Sequence, residues 1–379
     1  MSRQPTPAFP RAWVEVDLGA LRRNGAALAS RARVPLLAVI KADGYGLGAV
    51  RVAGALEPLD PWGFGVATVA EGIELRDAGV SRPILVLSPV LPDEYQAIRG
   101  ASLRPSLGSA VAIAEWGRTG GGAWHLSIDT GMNRAGIPWT EIGAIQDALR
   151  QVVPEGAYTH FHSADLNDDS QVEQQRRFRC AVESLPNRPR YLHAENSPAI
   201  ERGEASPWDL ARPGVFLYGV GGGDGATMFP EPVAHLRARV IDLRTVSDGD
   251  TVSYGATWRA RGTRRIATLG IGYADGYRRA LSNRGTVLLH GQRVPVVGIV
   301  TMDMTMVDVT DARCEIGDVA TLIGRDGDAV LTVDEVASTA QVLSYELLVG
   351  LKLRVPRLYV DETVETAVPA AESVSAARR

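Results

Sequence analysis

The sequence predicts an α/β protein with a TIM (β/α)8 barrel in residues 1–232, a mostly antiparallel β domain in 233–360 and a flexible tail in 361–379. Up to about residue 220, short apolar runs alternate with stretches of helical periodicity, a pattern typical of parallel strands joined by helices. Beyond about residue 233, short alternating segments separated by turn residues indicate antiparallel pairing. A doubly wound open sheet is the alternative for the first part, although no GxGxxG follows any predicted strand.

The barrel prediction rests on eight strand-like runs, the number that closes a TIM barrel. They are Leu36–Ile40, Gly63–Ala67, Ile84–Leu87, Ser102–Pro105, Trp124–Ile128, Ala157–His160, Tyr191–His193 and Val215–Tyr218. Asp17 is the predicted N-cap of a helix through Ala32, because its side chain can accept a free amide of the first turn. Further helices are predicted at 48–56, 70–78, 109–116, 140–151 and 168–184.

The sequence of the second domain predicts a series of short β strands, including RARVIDLRTV, RRIATLGIG, GTVLLHG and QRVPVVGIV. Two short helices, Thr332–Thr339 and Ser344–Leu351, are predicted to close it. The final residues lack an apolar face, which is why a flexible tail is predicted.

Composition narrows the classes of function. A net charge of −4 over 379 residues gives no reason to expect nucleic acid or an anionic membrane as a partner. The amino terminus lacks the apolar core of a signal peptide, and no apolar run approaches the length of a membrane helix. Cys180 and Cys314 are too few for a disulfide framework. The sequence therefore predicts a cytoplasmic protein.

Lys41 is the strongest candidate for chemistry. It ends the apolar run Val34–Ile40 and precedes a loop containing Gly44, Gly46 and Gly48, so it should lie at the carboxyl edge of a buried parallel strand, where α/β proteins bind ligands. The chain has 38 arginines and two lysines, and arginine cannot lose a proton and attack a carbonyl. The alternative is a lysine that extends from a strand end into solvent.

The segment AVIKADGYGLGA, which contains Lys41, resembles the cofactor-lysine signature of alanine racemases. The resemblance implies that pyridoxal 5′-phosphate is held on Lys41 in the barrel. It also implies a homodimer with shared active sites, and racemisation of L-alanine to D-alanine, an isomerase reaction that supplies a peptidoglycan precursor.

Tyr254, in TVSYGATW, matches the family tyrosine that acts as the second acid/base, contributed by the partner subunit. Racemisation removes a proton from one face of the α-carbon and returns it on the other, which two fixed bases explain simply. Free tyrosine has a pKa near 10, so such a base needs help, for which Arg212 and His160 are the candidates. Alternatively, Tyr254 simply packs its ring on a strand.

Arg212, in DLARPGVFLYG, matches the family arginine that faces the pyridine nitrogen of the cofactor. Two like charges about 4 Å apart repel by about 4 kcal/mol at an effective dielectric of 20, or roughly three pKa units. The ring nitrogen would then stay unprotonated, which favours proton exchange over reactions that need a long-lived carbanion. Arg212 could instead cap a helix or pair with Asp209.

A phosphate cup is predicted beside the last barrel strand. Oriented amides and hydroxyls suit a phosphate, and a helix start after Asn196-Ser197 would provide them. Ser197 could equally be a plain N-cap. By resemblance, the cup comprises Tyr45, Asn196, Ser197, Gly214, Val215 and Tyr345.

The substrate carboxylate is expected at Arg134, whose guanidinium suits a bidentate partner. By resemblance, Tyr273, Met302 and Asp303 complete that site from the partner subunit. The residues alone would equally suggest that Tyr273 is an aromatic side chain packed on a sheet and that Met302-Asp303 is a turn. One residue departs from the family pattern. Ser127 stands where many members carry a carbamylated lysine that supports the arginine matching Arg134, and serine cannot form that group.

His160 and His162 lie two residues apart, so a strand would place both imidazoles on one face, with Asp165 close behind. A metal site is the alternative there, but no third histidine ligand is evident, and no metal is predicted. By resemblance, His160 hydrogen-bonds Arg212, whereas His162 matches no family role.

Four other functions remain open at this point, one of them a metal-dependent barrel hydrolase that would use His160, His162 and Asp165. A serine racemase or one of broader specificity would share these motifs, whereas a non-catalytic pyridoxal-phosphate carrier would lack the domain with Tyr254. A decarboxylase of related fold would place an acidic group, not Arg212, at the ring nitrogen.

Overall fold

The computed structural model describes residues 10–166, 168–221 and 225–361. Its first part is a curled parallel sheet whose strands pair in chain order. The strands are Leu37–Val39, Gly63–Val66, Ile84–Pro89, Arg104–Leu107, His125–Asp129, Gly156–Tyr158 and Tyr191–His193, with Ile137–Pro138 added beside His125–Asp129. Most of these strands are apolar and buried, as expected for a sheet covered on both faces.

The sheet closes through residues 210–213. Leu210 bridges to His193 and Ala211 bridges to Leu36, while the amide of Val39 donates to the carbonyl of Pro213 at 2.8 Å. The predicted strand Val215–Tyr218 is therefore wrong, because these residues form a 3₁₀ helix just after the closing segment. An apolar run four residues long does not distinguish a strand from a buried helical turn.

Helices cover the outside of the barrel. Asp17 caps the first of them as predicted, with its Oδ1 accepting the amide of Ala20 at 2.8 Å. The barrel helices are Leu18–Ala32, Ala49–Leu56, Val69–Asp77, Tyr95–Gly100, Ala110–Arg118, Gln146–Gln151, Ser170–Glu183 and Ser197–Arg202. Leu21 and Leu28 of the first helix are fully buried, so its apolar face packs on the barrel.

The second part is a mostly antiparallel sheet. Its strands are Ala12–Asp17, Ala234–Val246, Arg264–Leu269, Thr286–Leu289, Gln292–Pro295, Thr305–Asp308, Val319–Asp326, Ala329–Leu331 and Arg357–Val360. The short strands Thr251–Val252 and Trp258–Arg259 pair separately. Helices Val333–Ala340 and Ser344–Val349 close this part, close to the positions predicted.

The first strand was not predicted, and it belongs to the second sheet. Val14 pairs antiparallel with Leu236 and parallel with Arg357, so both ends of the described chain meet in one sheet. The α/β prediction of a barrel followed by a mostly antiparallel domain is confirmed. The predicted flexible tail lies outside the described residues, except for Asp361. No helix in the described parts of the chain combines the length and apolarity needed to cross a membrane.

Candidate active site

Lys41 lies where the first barrel strand ends, at the carboxyl edge of the sheet. The four residues after it, 42–45, form a left-handed helical turn with φ between 53° and 61°. This conformation costs a non-glycine residue roughly 1–2 kcal/mol, and here only Gly44 adopts it freely. Strain of this kind clusters at functional sites, where the surrounding structure must hold it in place.

Glu71 holds the turn. Its Oε1 accepts the amide of Ala42 at 2.8 Å, and its Oε2 accepts the amide of Ala67 at 2.7 Å. Glu71 also forms a capping box with Thr68 at the start of helix Val69–Asp77. The helix cap of the second βα unit thus fixes the backbone beside Lys41.

The Lys41 amine lies in a positive environment. Burial lowers its pKa, the charge of Arg134 lowers it further, and Glu71 acts in the opposite direction. Among the described residues, Lys41 Nζ has no hydrogen-bond partner. A lysine with a lowered pKa has a larger neutral fraction at neutral pH, and the neutral amine is the nucleophile.

Arg212 lies in the segment that closes the barrel next to the first strand and is 3% exposed. Its guanidinium donates to the carbonyls of Thr159 at 2.5 Å and Ala194 at 3.0 Å, and to Nδ1 of His193 at 2.9 Å. Burial lowers the pKa of Arg212 to about 10. The group is therefore a fixed cation at neutral pH.

His160 faces the same cations. Its Nδ1 lies 3.5 Å from the Arg212 guanidinium, a long contact. Burial, followed by the charges of Arg212, Arg134 and Lys41, lowers the pKa of His160 to about 3. The imidazole is thus neutral at physiological pH. His160 thus contacts Arg212 and lies within electrostatic range of Arg134 and Lys41.

The residues of the predicted phosphate cup also meet. Ser197 Oγ accepts the amides of Gly214 at 2.9 Å and Phe216 at 3.3 Å, and the Asn196 side chain caps helix Ser197–Arg202. The Tyr45 hydroxyl lies beside Gly214, where an added Cβ would approach it to 2.8 Å. Burial, with a smaller contribution from nearby Tyr345, raises the pKa of Tyr45 to about 12.

This cup suits an anion. The hydroxyls of Tyr45 and Ser197 lie beside the backbone of Gly214, next to the first barrel strand. Gly214 leaves room that any larger residue would fill. Hydroxyl groups placed together in this way can donate hydrogen bonds to a phosphate.

Arg134 is exposed, and among the described residues its guanidinium has no hydrogen-bond or ion-pair partner. Ser127 lies in strand His125–Asp129, against the backbone of Gly136. Arg134 is therefore a guanidinium available for a carboxylate, and the described part of the chain gives it no fixed anionic support.

The structure of the single chain does not place Tyr254 at Lys41. It is 74% exposed, in a 3₁₀ turn of the second part of the chain. Ser253 Oγ donates to the carbonyl of Ile299, and the amide of Tyr273 donates to the carbonyl of Thr301. These bonds join three loops into one exposed face, which carries Tyr254, Tyr273, Met302 and Asp303.

The comparisons with known proteins follow this two-part division. Residues 16–221 match the family model of the alanine racemase N-terminal domain, and residues 233–359 match that of the alanine racemase C-terminal domain. An alanine racemase from Symbiobacterium thermophilum is 40% identical over 373 residues, covering 93% of this chain and 97% of that protein. The chain belongs to the alanine racemase family.

Solved alanine racemase structures have the same fold. Alanine racemase from Bacillus anthracis with bound L-Ala-P superposes with a TM-score of 0.84 at 32% identity, covering 94% of this chain and 96% of that one. Alanine racemase from Bartonella henselae with covalently bound pyridoxal phosphate gives a TM-score of 0.86 at 28% identity, covering 93% and 100%. The resemblance seen around Lys41 is confirmed.

His162 does not share a face with His160. The strand ends at Tyr158, so strand alternation does not extend to either histidine. His162 is exposed, and its Nδ1 lies 2.6 Å from Ser163 Oγ. Within the described residues, no group of histidine, cysteine, aspartate and glutamate side chains is arranged to hold a metal ion.

Several residues that shape this alanine racemase fold around the site were not predicted from the sequence. Glu71 holds the turn after Lys41, and Tyr218 stacks on Tyr45 with ring centroids 4.5 Å apart. His125 and His193 lie beneath Arg212. A sequence signal existed for Glu71, since Thr68 and Glu71 have capping-box spacing. None existed for the others, which come from separate strands.

Proposed function

We propose that this member of the alanine racemase family interconverts L- and D-alanine with pyridoxal 5′-phosphate, using Lys41 and Tyr254 as the two bases. The observation that carries the proposal is the position of Lys41. Its amine has a lowered pKa at the carboxyl edge of the barrel, next to Arg134, His160 and Arg212.

The residues around Lys41 fit the cofactor. Lys41 would hold it covalently, Tyr45, Ser197, Gly214, Val215 and Tyr345 would surround its phosphate, and Arg212 would face its ring nitrogen. Bound in this way, pyridoxal 5′-phosphate withdraws electrons from the α-carbon of an attached amino acid and makes its proton acidic.

Each residue then has a physical task. Once the substrate amine has taken its place on the cofactor, Lys41 would accept a proton from one face of the α-carbon as a neutral amine and return one as an ammonium, and Tyr254 would do the same on the other face. Arg134 binds the substrate carboxylate, with Tyr273, Met302 and Asp303 completing that end. The fixed charge of Arg212 disfavours a proton on the ring nitrogen, which limits side reactions.

The exposure of Tyr254 supports a homodimer with composite sites. Tyr254, Tyr273, Met302 and Met304 are all exposed, and their loops adjoin. Exposed aromatic and thioether side chains grouped on one face indicate a contact surface. We infer that this face packs against a second copy and places Tyr254 at that copy's Lys41.

The proposal is tested by supplying single L-amino acids with the cofactor and analysing products on a chiral column. We expect L-alanine to approach an equal mixture of enantiomers, and L-serine and larger amino acids to react more slowly. Borohydride should fix the cofactor on Lys41. Lys352→Arg should remain active and Lys41→Arg should not. Cofactor on Lys352, or no D-alanine, would refute the proposal.

A further inference from the structure

A row of buried polar side chains runs through the barrel core beneath Arg212. Arg212 donates to Nδ1 of His193 at 2.9 Å, and Nε2 of His193 lies 2.7 Å from Nδ1 of His125. Nε2 of His125 lies 3.5 Å from Oε2 of Glu155, which pairs with Arg104 at 2.5 Å. We name Arg212, His193, His125 and Glu155 the histidine chain.

The histidine chain connects the two ends of the barrel. Arg212 lies at the carboxyl edge with Lys41. His125 is the first residue of its strand, and Glu155 precedes strand Gly156–Tyr158, so both lie at the amino edge. The two imidazoles are fully buried, whereas the Glu155 side chain is 23% exposed.

Two buried imidazoles are unusual in this position. TIM-barrel interiors are filled mainly by branched apolar side chains, and replacing a buried polar pair by apolar groups of similar shape can be nearly neutral. The stability of the barrel does not call for this pair, which indicates another role.

The chemistry of the two ends fixes every proton between them. A guanidinium only donates hydrogen bonds, so Nδ1 of His193 must present its lone pair to Arg212. The proton of His193 is then on Nε2, facing Nδ1 of His125, and the proton of His125 is on Nε2, facing Glu155. A carboxylate only accepts hydrogen bonds, so Glu155 also favours a proton on Nε2 of His125. The two ends of the histidine chain therefore favour the same pair of tautomers.

Both imidazoles must be neutral for this arrangement. Burial lowers the pKa of His193 well below its usual range, and the charges of Arg212 and His125 act in the same direction. Burial also lowers the pKa of His125, with Glu155 opposing the shift. Burial raises the pKa of Glu155, but His125 and Arg104 outweigh it and lower the value to about 2, which keeps the carboxylate ionised.

We propose that Glu155 is a positioning residue for Arg212, acting across the barrel through His125 and His193 by fixing which ring nitrogen of each imidazole carries the proton. His125 Nε2 makes no hydrogen bond within the described residues, and the Glu155 carboxylate lies 3.5 Å from it as a long-range acceptor. Without that acceptor, both protons could move to the Nδ1 atoms, and His193 would then point a donor at the guanidinium. The consequence for catalysis rests on the proposed function, in which Arg212 faces the cofactor.

The first measurement is nuclear magnetic resonance of protein labelled with ¹⁵N-histidine, which reports the tautomer of each imidazole. The chain has six histidines, so assignment by single substitution is practical. We expect neutral His193 and His125 with the proton on Nε2 in the wild type. A proton on Nδ1 of either ring would overturn the proposal. This measurement needs neither a variant nor an activity assay.

The second measurement compares Glu155→Met, which removes the acceptor, with Glu155→Gln, whose oxygen can still accept. Glu57→Met is the matched control, since Glu57 pairs with Arg82 at 2.9 Å outside the histidine chain. In Glu155→Met we expect mixed tautomers at His193, a shifted absorbance of the bound cofactor and a kcat roughly 10- to 100-fold lower. KM should change less, and Glu155→Gln should restore most of kcat.

The outcomes separate the two proposals. Unchanged tautomers in Glu155→Met, or changed tautomers with the kcat of Glu57→Met, would overturn the role of Glu155. Failure of the wild type to racemise alanine would refute the proposed function, while the tautomers of the wild type and of Glu155→Met would still decide whether Glu155 fixes the protons.

Discussion

The carboxylate of Glu71 and the amide of Ala42 lie 2.8 Å apart, which joins a helix cap to the left-handed turn that follows Lys41. Glu71→Ala would remove the acceptor of the Ala42 and Ala67 amides, at a net cost of about 0.5–1.5 kcal/mol for each hydrogen bond. We expect faster hydrogen exchange in peptides covering residues 41–48, together with weaker cofactor binding.

Thr68→Ala is the matched control for that experiment. It removes the other half of the capping box, at a cost of about 1 kcal/mol, but leaves the contact between Glu71 and Ala42 in place. Equal exchange at residues 41–48 in both variants would show that Glu71 acts on its helix alone.

The lowered pKa of Lys41 predicts its reactivity in the protein free of cofactor. An amine reagent should label Lys41 with a midpoint below that of free lysine, and mass spectrometry can map the label because Lys352 is the other lysine. Arg134→Ala removes a positive neighbour, which should raise the midpoint. Glu71→Gln removes a negative neighbour, which should lower it. A lower midpoint in Arg134→Ala, or a higher midpoint in Glu71→Gln, would contradict this electrostatic assignment.

Gly214→Ala should reduce affinity for the cofactor, because the new methyl group would lie 2.8 Å from the Tyr45 hydroxyl and narrow the phosphate cup. Equilibrium dialysis measures the affinity directly. Gly54→Ala is the control, since Gly54 lies in helix Ala49–Leu56 with no atom near the added group. That variant should bind the cofactor normally and gain up to about 1 kcal/mol in unfolding free energy.

Tyr254→Phe should slow proton abstraction from one alanine enantiomer more than from the other, as measured by exchange of the α-proton in deuterated water. Tyr191→Phe, at the amino edge of the barrel, should react like the wild type. Mixing Tyr254→Phe with Lys41→Ala should restore part of the activity, because some dimers would then contain one intact site. No recovery after demonstrated subunit exchange would favour a site within one chain.

Buried neutral His160 should make the protein sensitive to acid. Its pKa is about 3 in the folded state and near 6.5 when unfolded, so the unfolded state binds more protons between those values. Stability should therefore fall as pH decreases from 6.5 towards 3, with His160 contributing up to about 1.4 kcal/mol per pH unit. Denaturation at fixed protein concentration should show a shallower decline for His160→Asn than for the wild type.

Local sequence predicted much of the fold. The alternation of apolar runs and helical periodicity indicated the barrel, and Asp17 marked the start of its first helix. The last barrel strand was predicted at Val215–Tyr218 because that run is continuously apolar. Residues 210–213, which close the barrel, were not predicted as a strand because they contain Arg212 and Pro213. Strand Ala12–Asp17 was missed because its partners lie more than 200 residues away along the chain.

The sequence by itself determined the chemistry available to this protein. A lysine at the end of a buried strand, followed by a glycine-rich loop and embedded in a family motif, indicated a covalently held cofactor. Tertiary structure alone decided the contacts around and beneath the site. Glu71 at the turn after Lys41, Tyr218 against Tyr45, and His125 and Glu155 at the amino edge come from separate segments of the chain, and barrel closure sets their contacts. Pairwise contacts over such separations leave no periodic signal along the chain, so only the folded barrel reveals them.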